Sequence, residues 1–275
     1  MKSKINKLIQ VFVLILYIIL VSCESPERLP NPFNPYDPGN PDYEAPKSII
    51  TGGAFDGDTI NTSTVTFTWV GNEITGDFSY RLNGNSWSGW LQDTSVTYDY
   101  LNEESYQFDI RARSNNVSQT IGDTTSVTFT VDAVEGSSLM FYPRYKLLSV
   151  NSTTTVEIRA EEVEDIMGVE IGISFDLSKV RIESVSSGNF MKQNGGELIF
   201  FKEIDNIQGK INIVSVIAGG TKPTVSGTGV IATLFIKGIS AGTAQLEFID
   251  ICVYRDENDD EIEINEKTIG FLKIE

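Results

Sequence analysis

Histidine is absent from this chain of 275 residues. With it go the commonest general base, the commonest metal ligand and every Ser-His or Cys-His nucleophile pair. Paired-carboxylate chemistry stays formally open, but nothing around the acids marks any two as a pair, and the chain reads as a non-enzyme. Cysteine is nearly absent, with Cys23 and Cys252 alone. Proline is scarce outside one stretch, since seven of the nine lie between positions 26 and 46. Positive charge is also short: 21 basic against 38 acidic side chains leave a formal net charge of −17. Such a surface repels nucleic acid and anionic headgroups, and favours basic or neutral partners. Helical periodicity is missing throughout the body of the chain. What is present is 40% hydrophobic and 10% aromatic content, enough for packed cores and too much for general disorder. The length suits a leader, a linker and two domains.

The leader is Lys2, Lys4 and Lys7 followed by an apolar run over residues 8–21 and the close Leu20-Val21-Ser22-Cys23. A charged start, an apolar middle and a small-residue end make a secretory signal peptide. The run falls short of the ~20 residues that cross a bilayer. Its close resembles the lipobox of bacterial lipoproteins, while an ordinary signal peptide with a chance cysteine is the competing reading. The resemblance implies that residues 1–22 are removed, that Cys23 carries the lipid, and that the rest hangs from a bacterial envelope facing outward. Each buried CH₂ contributes about 0.8 kcal/mol, so two or more acyl chains hold firmly. Losing the three leader lysines leaves 18 basic side chains and a net charge near −20. Cys252 then has no partner for a disulfide. Its apolar setting, Phe248-Ile249-Asp250-Ile251-Cys252-Val253-Tyr254, predicts a buried and inert thiol.

Residues 23–47 form a proline-rich stretch, expected to be a polyproline-like stalk reaching roughly 60 Å at ~3.1 Å per residue. Residues 48–132 read as all-β, with alternating runs such as Val65-Thr66-Phe67-Thr68-Trp69 broken by Gly, Asn and Asp clusters. Asn83-Gly84 marks a hairpin turn because both residues tolerate positive φ. Leu101 followed by Tyr106 resembles a tyrosine corner. With Trp69, Trp87, Tyr98 and Arg111-Ala112-Arg113, the set resembles immunoglobulin-like or fibronectin type III-like modules of bacterial surface proteins, which implies a spacer or support. Trp69 is expected in the core. Trp87 and Trp90, flanking Ser88-Gly89 near the hairpin, are candidates for stacking on sugar rings, with folding back over the sheet as the alternative.

Residues 132–138 read as a short flexible joint. Residues 139–275 then give nine strand candidates, at 140–148, 154–160, 169–175, 180–185, 197–202, 210–217, 229–237, 245–254 and 261–274, the last broken. Short polar turns between them suggest a jelly-roll sandwich. The fold class is therefore all-β, two sandwiches in series.

Several pieces of the second domain carry a further resemblance. They run from Gly168-Val169-Glu170 and Ser174-Phe175-Asp176-Leu177-Ser178-Lys179-Val180, through Val185-Ser186-Ser187-Gly188 and Gly209-Lys210-Ile211-Asn212-Ile213. Gly227-Thr228-Gly229-Val230-Ile231-Ala232-Thr233-Leu234-Phe235, Gly242-Thr243-Ala244 and Ile269-Gly270-Phe271-Leu272-Lys273-Ile274 complete them. In order and spacing this resembles cohesins, with related carbohydrate-binding modules sharing part of the pattern. The cohesin resemblance implies docking of a secreted, dockerin-bearing protein on the face made by the third, fifth, sixth and eighth strands. By alternation that face shows Glu170, Gly172 and Ser174 on the third strand and Asn212, Val214 and Val216 on the sixth; residues 197–202 are apolar on both faces, which makes Ile199 and Phe201 the candidates for exposure on the fifth. The alternative partner is a polysaccharide, and either would place the protein at polysaccharide breakdown on the cell surface. A purely structural envelope lipoprotein, with no soluble ligand, is the third reading.

Residues 256–261, Asp-Glu-Asn-Asp-Asp-Glu, form the densest acidic run. Asp256, Asn258 and Asp260 match the first positions of a calcium loop, but Glu261 replaces the required glycine and Lys267 stands where the bidentate acid belongs. No EF-hand forms here. Calcium could enter through the partner or an irregular site in this run, against the simpler reading of a solvated acidic hairpin.

Overall fold

The computed structural model describes residues 33–34, 36–116, 119–219 and 224–275. The leader and Cys23 lie outside these residues. Among them the fold is all β, with no α-helix and a single 3₁₀ turn at Phe190–Lys192. Two separate hydrophobic cores define two sandwiches.

The first sandwich has seven strands: β1 (Ser48–Gly52), β2 (Asp58–Ile60), β3 (Val65–Gly71), β4 (Thr75–Leu82), β5 (Ser95–Tyr98), β6 (Ser105–Ser114) and β7 (Ile121–Val131). One sheet runs β1-β3-β5 and the other β2-β7-β6-β4. Period-two patterning puts Val65, Phe67 and Trp69 of β3 inside, facing Phe108, Ile110 and Ala112 of β6. Phe67 and Phe108 stack with centroids 4.1 Å apart. Trp69 is buried as expected, its indole N–H donating to the Asp93 carbonyl at 3.1 Å. Asn83 and Gly84 take φ of 49° and 66° in the β4 hairpin turn. The corner also forms, with the Asn102 N–H donating to the Tyr106 hydroxyl at 2.8 Å.

Two expectations change. The described part of the proline stretch is a tandem of turns, not an extended rod. Asn34, Asp37 and Asn40 repeat every three residues, and each side chain accepts the N–H two positions on, at 3.1, 3.0 and 2.9 Å. Each carbonyl accepts the N–H three positions on. Asx side chains before proline close such turns locally, which the polyproline expectation overlooked. The joint is tied down rather than loose. Val134 is buried, the Ala133 N–H donates to Glu103 at 2.8 Å, and the Gly136 N–H donates to Glu162 at 2.7 Å. Tyr100 packs on Phe271 with centroids 4.2 Å apart, and the Tyr142 hydroxyl donates to Glu104 at 3.0 Å. The sandwiches therefore touch through side chains as well as through the chain.

The second sandwich continues with β8 (Ser138–Tyr142), β9 (Tyr145–Leu148), β10 (Thr153–Ile166), β11 (Gly168–Phe175), β12 (Val180–Ser187), β13 (Glu197–Asp205) and β14 (Lys210–Ala218). It closes with β15 (Val225–Gly238), β16 (Gly242–Phe248), β17 (Val253–Arg255), β18 (Glu261–Ile262), β19 (Glu266–Lys267) and β20 (Gly270–Ile274). One sheet runs β12-β15-β10-β8-β19. The other runs β13-β14-β11-β16-β20-β9, with β17 also on β11 and β18 on β17. Three of the nine expected strands are divided between elements. Pro143 ends the first, because proline cannot donate to the ladder, and the chain crosses there from β8 in one sheet to β9 in the other. Strand β10 runs six residues past its expected end, through bulges where Glu162 and Asp165 take positive φ. A bulge breaks the alternation by which a strand is recognised. The core is chiefly aliphatic, with Ile171, Ile173, Ile213, Ile236 and Leu246 fully enclosed.

Candidate functional site

Strands β13, β14, β11 and β17 stand side by side, and their registers place the outward side chains in rows. Inward, Ile171 and Ile173 of β11 and Ile211, Ile213 and Ile217 of β14 are buried, so the alternate residues face out. One row reads Ile199, Val216, Gly168, Arg255; the next reads Phe201, Val214, Glu170, Val253; the third reads Glu203, Asn212, Gly172. A fourth row carries Asp205, Lys210, Ser174 and Glu247.

All eight expected partner-face residues, Glu170, Gly172, Ser174, Ile199, Phe201, Asn212, Val214 and Val216, thus lie on one side of one sheet. Ile199 and Phe201 are 55% and 58% exposed despite their size. They lie on β13, the last strand of its sheet, and Val214 and Val216 continue the apolar surface inward. Burying such side chains on docking would contribute about 25 cal/mol per Å² of apolar surface.

Gly172 is not open as expected. A side chain added there would overlap Ile249 and Ile251, which come from the turn between β16 and β17 and cover the face at this glycine. A glycine inside an alternating strand signals close approach of another segment, and that signal was available. The alternation could not reveal β17: Val253 and Arg255 join the face because the expected strand at 245–254 breaks in two.

Of the two readings of the first sandwich's indoles, the structure shows the second, with the rings folded back over the sheet. Arg81 and Arg111 lie over the Trp87 ring at 4.4 and 4.1 Å, and Arg111 and Arg113 over the Trp90 ring at 5.1 and 4.8 Å. The arginines alternate along neighbouring strands β4 and β6, so indoles folding back from residues 87–90 slot between their guanidinium planes. Asp109 holds Arg81 at 2.8 Å and Asp77 holds Arg113 at 2.6 Å. Each ring thus has two guanidinium groups packed against it.

The acidic run forms a hairpin between β17 and β18. The Asp256 carboxylate accepts the N–H groups of Asn258 at 2.8 Å and Asp260 at 2.9 Å. These bonds hold its proton affinity below the ordinary aspartate value, the Asp260 N–H chief among them. Arg255 closes the hairpin on Glu261 at 3.0 Å. Among the described residues no cluster of three or more His, Cys, Asp or Glu is arranged to hold a metal. Cys252 is half-buried, with its thiol on the Gly172 carbonyl at 3.3 Å. Burial pushes the thiol pKa above its usual value, away from the reactive thiolate.

No family model matches the chain, and no curated protein matches it. Several solved structures are similar in fold. A non-cellulosomal cohesin from the hyperthermophilic archaeon Archaeoglobus fulgidus is 11% identical, with a TM-score of 0.42 over 51% of this chain and 92% of its own. The cohesin CaCohA2 of Clostridium acetobutylicum is 22% identical, with a TM-score of 0.41 over 51% of this chain and 91% of its own. The sixth cohesin of Acetivibrio cellulolyticus scaffoldin B, solved in complex with a dockerin, is 16% identical, with a TM-score of 0.43 over 51% of this chain and 100% of its own. Likenesses at these identities and scores say nothing of what this chain binds.

Proposed function

We propose that the chain is a lipid-anchored binding protein of a bacterial envelope, whose second sandwich docks a secreted protein of dockerin type on the outward face of β13, β14, β11 and β17. One observation carries the reading. Ile199 and Phe201 stand more than half exposed beside Val214 and Val216, on a protein whose surface is otherwise rich in charge. The resemblance of residues 139–275 to cohesins supplies the partner class, and the close at Cys23 supplies the anchor. The first sandwich, with its immunoglobulin-like pattern, acts as a spacer that carries the docking domain away from the membrane. Polysaccharide breakdown is the setting in which such a receptor would work.

The test is retention of proteins from the organism's own culture medium on immobilised chain, with and without calcium, beside a Phe201→Asp variant. A calcium-dependent catch that shares one helical module and is lost in the variant supports the proposal. A catch indifferent to Phe201→Asp removes this face from it. Retention on insoluble polysaccharide, with no protein caught, replaces it with carbohydrate binding elsewhere on the molecule.

A further inference from the structure

The middle of the docking face holds an acid, not an aliphatic. Glu170 stands between Val214 on one neighbouring strand and Val253 on the other, with Phe201 next in the same row. Among the described residues no ion pair reaches it. Arg255, on the adjacent row, is turned to its own hairpin, donating to the Asp259 carbonyl at 2.8 Å and pairing with Glu261 at 3.0 Å. Lys267 lies toward Cys252, on the side where Glu170 also acts on that thiol, and makes no ion pair with Glu170.

Around Glu170 the outward residues Glu197, Glu203, Asp205 and Glu247 set four carboxylates against Lys210 and the engaged Arg255. The surface therefore offers negative charge at its centre and rim, with apolar side chains between.

We infer that the occupant of this face is a helix carrying an arginine or lysine in the middle of its apolar stripe, seated on Glu170. The inference rests on the docking reading above and adds the chemistry of the partner. An occupant lacking the cation would cover Glu170 with hydrocarbon and strand a charge out of water. One that supplies it forms a charge-assisted hydrogen bond in a setting dried by Val214 and Val253. Glu170 thus discriminates among partners by the penalty it imposes on neutral or acidic ones. The charge around it also speeds approach of a basic helix at low salt.

Two synthetic helical peptides test this, identical in their leucine stripe and differing only in a central arginine or glutamate. Each is titrated by NMR into a chain of residues 33–275, which holds both sandwiches. The arginine peptide should bind at least tenfold more tightly and shift the amides of Val214, Glu170 and Val253. Glu170→Gln should shrink the difference, Glu170→Lys should reverse it, and Phe201→Asp should weaken both peptides together. Equal binding of the two peptides, both lost in Phe201→Asp, overturns the inference and leaves the docking face standing. Binding indifferent to Phe201→Asp overturns the docking face itself. No shift with the arginine peptide at millimolar concentration also overturns the inference. Thermal unfolding of each variant confirms that it is folded.

Discussion

Both sandwiches carry large side chains outside their cores, and they treat them in opposite ways. In the first, Trp87 and Trp90 are threaded between Arg81, Arg111 and Arg113, and two of those arginines are anchored by Asp109 and Asp77. In the second, Ile199 and Phe201 are left bare at a sheet edge. The difference lies in what the neighbouring strand offers. Arginines on β6 can cover an indole with their guanidinium planes, whereas the β14 side chains beside Ile199 and Phe201 are Val216 and Val214, which extend the apolar surface rather than cap it. The first set is covered by its own sheet; the second is left facing solvent.

The largest expected effect tests whether the two regions are independent. Trp69→Ala should remove about 3–5 kcal/mol from the first sandwich. Calorimetry should then resolve its unfolding at lower temperature while the second sandwich melts unchanged. A shared shift of both transitions would show that the contact of Tyr100 with Phe271 couples them.

Next comes the tier itself. Arg111 lies over both indoles, so Arg111→Ala should cost about 1–2 kcal/mol and shift tryptophan emission to the red. An unchanged spectrum would mean that the indoles hold their places without it.

Acidity separates the joint from the tier by sign. Burial raises the pKa of Glu161, with Glu103 and Glu162 adding to it, and burial raises that of Glu103. Their folded forms bind protons more tightly than the unfolded chain, so their contribution to stability grows as pH falls from neutral through the raised values. Asp109 behaves oppositely. Burial pushes it up, but bonds from Gln107, Ser126 and Arg81 outweigh this and hold it below the ordinary value. Its contribution is present above the ordinary aspartate range and is lost as pH falls through the lowered value. Urea unfolding at pH 7 and pH 5 should therefore show wild type gaining relative to Glu161→Gln on acidification. A constant gap between the two would refute the sign.

The smallest effect on stability belongs to the bare face. Phe201→Asp should change stability by no more than about 0.5 kcal/mol, because Phe201 is not packed into the core. A loss of several kcal/mol would mean that the side chain supports the sandwich and is not reserved for a partner.

Alternation determined most of what could be read in advance. Val169, Ile171, Ile173 and Phe175 named the inner face of β11, and so placed Glu170, Gly172 and Ser174 outside, because the strand period of two leaves no choice once one face is buried. The outward Ile199 and Phe201 were legible because residues 197–202 are apolar on both faces and one face has to lie outside, and the Asn83-Gly84 turn because both residues tolerate positive φ. Long-range encounters were decided only by the tertiary structure. Ile249 and Ile251 lie some eighty positions from the Gly172 they cover, and Arg111 meets Trp87 only after β4 and β6 pair. The tandem turns of Asn34, Asp37 and Asn40 were local, yet were hidden by a proline density that also fits an extended chain. Local periodicity says which way a side chain points; only the packing of distant segments decides what it meets there.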